Sequence, residues 1–118
     1  MHEMSLCRAL LATAEQQLAE HPDLPVTLLR VKVGALSGCE PDLLQHLFAH
    51  AAAGSRFSQA QLVIEFQPAC IICRACGRSS EVPPNRFACP YCGSLAVQLT
   101  AGEGVYLSGI SLGEPYVS

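Results

Sequence analysis

Two short cysteine motifs constrain this chain more than any other feature: Cys73-Arg74-Ala75-Cys76-Gly77 and Cys89-Pro90-Tyr91-Cys92-Gly93. Each is a C-x-x-C-G turn. A two-residue gap lets both sulfurs of one tight turn face the same point. Glycine after the second cysteine can take positive φ, which turns backbone N–H groups toward the thiolates. Two such turns supply four thiolates at about 2.3 Å from a tetrahedral ion. The twelve residues between them, 77–88, are a separation that suits a zinc ribbon. Cys73, Cys76, Cys89 and Cys92 therefore read as one closed site, with zinc as the expected structural ion.

Cys70 also stands in a C-x-x-C, Cys70-Ile71-Ile72-Cys73. It is left out of the site, because the glycine follows Cys76 and not Cys73. Two isoleucines also suit a strand entering the turn better than the turn itself. The paired motifs resemble the rubredoxin pattern too, and a tetrahedral S₄ site accepts iron as well as zinc. A closed Cys₄ zinc site keeps no water and so supplies no activated nucleophile. Its role is to fold a module too small for a core of its own.

Around this module the chain shows helical and strand periodicity. Residues 4–20 predict a helix on Leu6, Leu10, Ala14 and Leu18, widened by Met4, Cys7 and Leu11. His21-Pro22 ends it. Residues 26–33 predict a strand, with Leu29, Val31 and Val33 on one face and Arg30 and Lys32 on the other. Gly34 to Gly38 is turn-rich. Residues 41–53 predict a second helix, with Pro41 in its first turn and Glu40 and Asp42 at the positive end of its dipole. Its expected core stripe is Leu43, Leu44, Leu47, Phe48 and Ala51, and Gly54-Ser55 stops it. Residues 61–67 and 104–112 predict two more strands. In the last, Val105, Leu107 and Gly109 alternate with Tyr106, Ser108 and Ile110.

Residues 69–95 differ in kind, with five cysteines, three arginines, three prolines and little apolar periodicity. The expected fold is α+β: a three-stranded mixed sheet with two helices, plus an inserted zinc-ribbon-like Cys₄ module. The expected division is residues 1–68 with 97–118 as the parent domain, and 69–96 as the insert.

Composition narrows the function classes. The net charge is −3, and the seven basic residues form no run, which suits a nucleic-acid backbone poorly. No stretch approaches the ~20 apolar residues of a membrane span. The opening has no positive n-region, so a secretory signal is not expected. Seven cysteines in a reducing compartment are expected to be ligands and buried thiols, and the protein is read as cytoplasmic. No Ser-His-Asp grouping, Gly-rich phosphate loop or paired buried carboxylates can be argued, and no enzymatic activity is expected.

The amino terminus carries a second metal signal. A free α-amine, the His2 imidazole and the intervening backbone nitrogens can form adjoining chelate rings on one ion. Planar nitrogen donors suit Ni(II) or Cu(II). Taken alone, an incidental histidine is the plainer reading. However, Met1-His2-Glu3-Met4-Ser5-Leu6 resembles the M-H-E-x-S-L opening of the HypA/HybF nickel metallochaperones. Val33-Gly34 ahead of the second helix, Glu40 at its start, and the paired knuckles interrupting the last two strands are similar to that family in order and spacing. The resemblance covers essentially the whole chain.

It implies delivery of Ni(II) to the [NiFe] hydrogenase large subunit precursor during maturation. The implied nickel site uses the terminal amine of Met1, the backbone nitrogen and side chain of His2, and the backbone nitrogen of Glu3. Structural zinc is implied at Cys73, Cys76, Cys89 and Cys92. Glu40 matches a position linked to nickel binding or release, where some relatives carry Asp. A HypB-type nickel-insertion GTPase is the implied partner, and a homodimer is left open. The rival readings are a rubredoxin-like iron electron carrier and a zinc-ribbon interaction module.

Of the remaining candidates, His46 and His50 stand at i, i+4 on the second helix, a spacing that can serve one metal. A solvated pair is the reading favoured from sequence. Cys39 and Cys7 read as small buried residues, and Tyr91 as an exposed cover of the metal loop.

Overall fold

The computed structural model describes residues 3–21 and 24–113. The chain forms α1 (Glu3–Gln17), β1 (Val26–Gly34), α2 (Pro41–Ala52), β2 (Gln61–Gln67), β3 (Ala69–Cys73), β4 (Ser79–Val82), β5 (Val97–Ala101) and β6 (Val105–Leu112). The first sheet has the order β2-β1-β6. β1 and β2 run parallel, and β1 and β6 antiparallel. The parallel pair needs a crossover, which α2 supplies. This is the expected mixed sheet with two helices.

The helices bury one face of that sheet. Cys7, Leu10 and Ala14 of α1, with Leu18 beyond it, meet Leu29, Val31 and Val33 of β1 and Leu44, Phe48 and Ala52 of α2. Two expectations shift here. Leu43 is 39% exposed, and Ala52 takes a place in the core instead. A stripe at i, i+4, i+8 through Leu44 leaves Leu43 about a hundred degrees away on the helix. Phe66 alternates with Leu62 and Ile64, yet it is 69% exposed, on an edge strand of the sheet.

Strand alternation is broken twice. The pairing slips between Arg30 and Val31, where Ser108 is the extra residue on β6, and between Val26 and Leu28, where Thr27 is extra on β1. Each bulge reverses the face of the residues beyond it. Ile110, which strict alternation from Val105 would turn outward, therefore packs against the core with Leu112.

The second sheet, of order β4-β3-β5, is antiparallel throughout. Sequence patterning predicts only a strand leading into Cys73, and it assigns residues 97–101 to the parent domain. The structure pairs them with β3 instead. The core here is small: Ala69, Ile71 and Val82, with Leu36, Val97 and Leu99 against it. The two sheets meet at a close backbone crossing. Gly34 donates its N–H to the Gly104 carbonyl at 2.8 Å, and Leu36 donates to the Gly102 carbonyl at 2.8 Å. A β-carbon on Gly34 would fall inside the contact distance of the Gly102 carbonyl.

Candidate functional site

The four knuckle cysteines converge. Their Sγ atoms all lie within 4.8 Å of one another. Cys73 and Cys92 are 3.6 Å apart, as are Cys76 and Cys89. A tetrahedral ion with four sulfurs at about 2.3 Å would separate them by about 3.8 Å. The thiols are therefore spaced to accept such an ion with little adjustment.

Local backbone sets this spacing. Gly77 and Gly93 take φ of 77° and 76°. Gly77 donates to the Cys73 carbonyl and Gly93 to the Cys89 carbonyl, each at 2.8 Å. Each turn is then closed from behind: Cys73 donates to the Arg78 carbonyl and Cys89 to the Ser94 carbonyl, each at 2.9 Å. The two knuckles are thus near copies in hydrogen bonding as well as in sequence.

The electrostatics favour thiolates at part of the site. The N–H of Cys76 points at the Cys73 sulfur from 3.4 Å and draws that thiol down to about 6. The N–H of Ser94 pulls Cys92 the same way, but the Cys73 sulfur, burial and the Cys89 and Cys76 sulfurs together outweigh it, and Cys92 is pushed up to about 11. Four sulfurs this close share protons until a cation replaces them.

Cys70 stands apart. Ala69, Ile71 and Cys73 are buried on one face of β3, whereas Cys70 and Ile72 face the other way. The Cys70 thiol points to the Pro68 carbonyl at 3.7 Å. One contact that sequence reading missed joins the two knuckles: the Arg78 guanidinium lies 4.8 Å from the centroid of the Tyr91 ring. Tyr91 is exposed, and it serves as a cation–π seat. An aromatic at an x position of the second knuckle, with an arginine just after the first, is the signal that could have found it.

In the first lobe Glu3 and Glu40 come together, though not side chain to side chain. The Glu3 carboxylate, on a residue only 8% exposed, accepts the Glu40 N–H at 3.1 Å. Glu40 is the N-cap residue of α2 but makes no side-chain cap. Pro41 has no N–H to satisfy. The carboxylate of α1 therefore sits at the positive end of α2 and does the capping. The Glu40 N–H, then the N–H of Glu3 itself, hold this carboxyl below its ordinary value. The Cys7 and Cys39 thiols are raised, mainly by burial, so both are neutral packing groups. Cys7 points its thiol at the Leu44 carbonyl, 3.7 Å away. Met1 and His2 lie outside the described residues. His46 and His50 lie exposed on α2. No helix among the described residues is long and apolar enough to cross a membrane.

A helix-covered mixed sheet, joined to a small sheet that four convergent thiols close, defines an α+β metal-binding protein of the ribbon-bearing kind. A family model described as hydrogenase/urease nickel incorporation, metallochaperone, hypA, matches residues 1–112. The chain is 38% identical over 112 residues to hydrogenase maturation factor HypA of Nitrosospira multiformis, covering 95% of this chain and 97% of that one. It is 40% identical over 114 residues to the protein of the same name from Desulfitobacterium hafniense, covering 97% and 100%. Its fold is similar to the solution structure of the Ni metallochaperone HypA from Helicobacter pylori, at TM-score 0.71 and 22% identity, over 95% and 97% of the two chains. The chain belongs to the HypA family of hydrogenase nickel-incorporation metallochaperones.

Proposed function

We propose that this protein carries Ni(II) on a chelate at its amino terminus and delivers it to the [NiFe] hydrogenase large subunit precursor. The donors are the Met1 amine, the His2 backbone and imidazole nitrogens, and the Glu3 backbone nitrogen. Nitrogen donors of this kind suit Ni(II) in a planar arrangement. The observation that carries the reading is the Met1-His2-Glu3 motif inside the family match to residues 1–112, with Glu3 in α1 and its carboxylate on the Glu40 N–H. That bond fixes the third residue of the proposed chelate to the rigid lobe and brings Glu40 beside it. A nucleotide-hydrolysing partner of the HypB type fits the reading, as does work in the cytoplasm.

The ion at Cys73, Cys76, Cys89 and Cys92 is read as zinc, retained and structural. Four thiolates would hold it closed, leaving no position for a reacting ligand. The protein is read as two working parts: a nickel-handling lobe on the first sheet, and a metal-keeping lobe on the second that offers a surface to partners.

The test is a nickel titration of the untagged protein beside His2→Ala and a variant extended at its amino terminus. Both changes are expected to remove the tight equivalent. Equal binding by all three proteins overturns the site. Metal analysis decides the second ion: one equivalent of zinc in a colourless protein is expected, and a coloured, iron-loaded protein would sink that assignment.

A further inference from the structure

Among the described residues, one histidine pair belongs to neither the nickel chelate nor the Cys₄ site. His46 and His50 lie one turn apart on α2 and are both exposed. Their ring centroids are 5.2 Å apart, at an interplanar angle of 67°. Two imidazoles that each place a nitrogen about 2.1 Å from one ion, at a right angle to a tetrahedral angle, have centroids about 4.5–5.2 Å apart. The observed separation falls in this range, so α2 spaces the two imidazoles as a shared ion requires.

The helix beneath the pair is anchored. Leu44, Phe48 and Ala52 are buried on the opposite face, two residues or roughly 200° around the helix from His46 and His50. The pair is thus presented to solvent by a face that packing holds still, which lowers the entropy lost when an ion is bound. His50 lies in the last turn, where the helix dipole favours positive charge. Asp42 stands one turn before His46 on the same side and is also exposed, which adds a favourable charge.

We propose that His46 and His50 form a second, exchangeable divalent-metal site on the solvent face of α2. Imidazole suits Ni(II), Cu(II) and Zn(II), with Cu(II) bound most strongly by the general order of stability. Two protein nitrogens leave the remaining positions to water, so this site takes up and gives back its ion, in contrast to the closed thiolate site. The inference rests on the geometry of α2 and not on the amino-terminal chelate.

The untagged, zinc-loaded full chain is titrated with nickel sulfate while amide resonances are followed. A weaker second step is expected, with broadening centred on residues 45–51. His46→Gln and His50→Gln should each weaken that step by roughly ten-fold or more, since each removes the local concentration of the second ligand. Both positions are exposed, so the fold should be unchanged, and far-UV circular dichroism checks this. His2→Ala should remove the tight step and leave the weak one. A weak step that survives either glutamine variant, or vanishes in His2→Ala, overturns the proposal. So does the absence of any broadening on α2.

Discussion

At the scale of single residues, Glu3 joins two helices that sequence reading keeps apart. Its carboxylate serves two helix beginnings, its own and that of α2. Because the folded state holds this carboxyl below 4.5, the stabilisation it brings is present above that value. It is lost as pH falls through the lower folded value. Carbon-detected titration should find the Glu3 carboxyl midpoint below 4.5, with the Glu40 amide shifting on the same curve. A midpoint at or above 4.5 would show that the bond is absent in solution. Phe57 is the other residue that only the folded chain reveals. It lies between elements, in a stretch that reads as a helix stop, yet its side chain is buried with Ala52 and Leu62 in the main core. Phe57→Ala should cost about 3–5 kcal/mol in chemical denaturation, as large core truncations do. A single aromatic between turn residues carries no periodicity, so nothing in the sequence marks it as core.

At the scale of elements, α1, β1, α2, β2 and β6 are legible because each buries one face and so writes its period into the sequence. β4 and β5 are not. They have four and five residues, they flank a core of three buried side chains, and their alternation mixes Ser, Gln and Thr with valine and leucine. Their pairing partner β3 is recognisable, but a partner's register cannot be read from one strand. The two bulges are equally hidden, since an extra residue leaves no mark until a neighbouring strand counts against it. The junction between sheets gives the sharpest element-scale prediction. Gly34→Ala would drive a β-carbon into rigid backbone at Gly102, where no side chain can swing aside. The expected loss is about 3 kcal/mol or more, at the upper end for overpacking, measured by denaturant unfolding. A loss within experimental error would mean that the two sheets do not meet as described.

At the scale of the molecule, the Cα radius of gyration is 17.8 Å, against about 13.5 Å for a compact domain of this length. The chain is extended because it builds two separate cores instead of one. Among the described residues the larger core has thirteen buried side chains and the smaller three, so the two should respond differently to metal removal. Chelation of the Cys₄ ion, or Cys73→Ser, should strip hydrogen-exchange protection from residues 69–101. Protection of the β1 amides should remain. Loss of protection from both sheets together would show a single cooperative unit. Protection unchanged in both would show that the ion does not hold the second sheet.

Read along the chain alone, the residues specify the four thiols, their spacing and the family that the opening resembles. These are local facts: a C-x-x-C-G turn needs only its own five residues, and a period needs only its own helix or strand. Which residues meet across distance was settled by packing. It set Glu3 on the amide of Glu40, placed Val97–Ala101 in the second sheet, turned Ile110 inward through a bulge, and brought Arg78 over Tyr91. Each of these depends on how separate segments pack and register, which no single segment encodes.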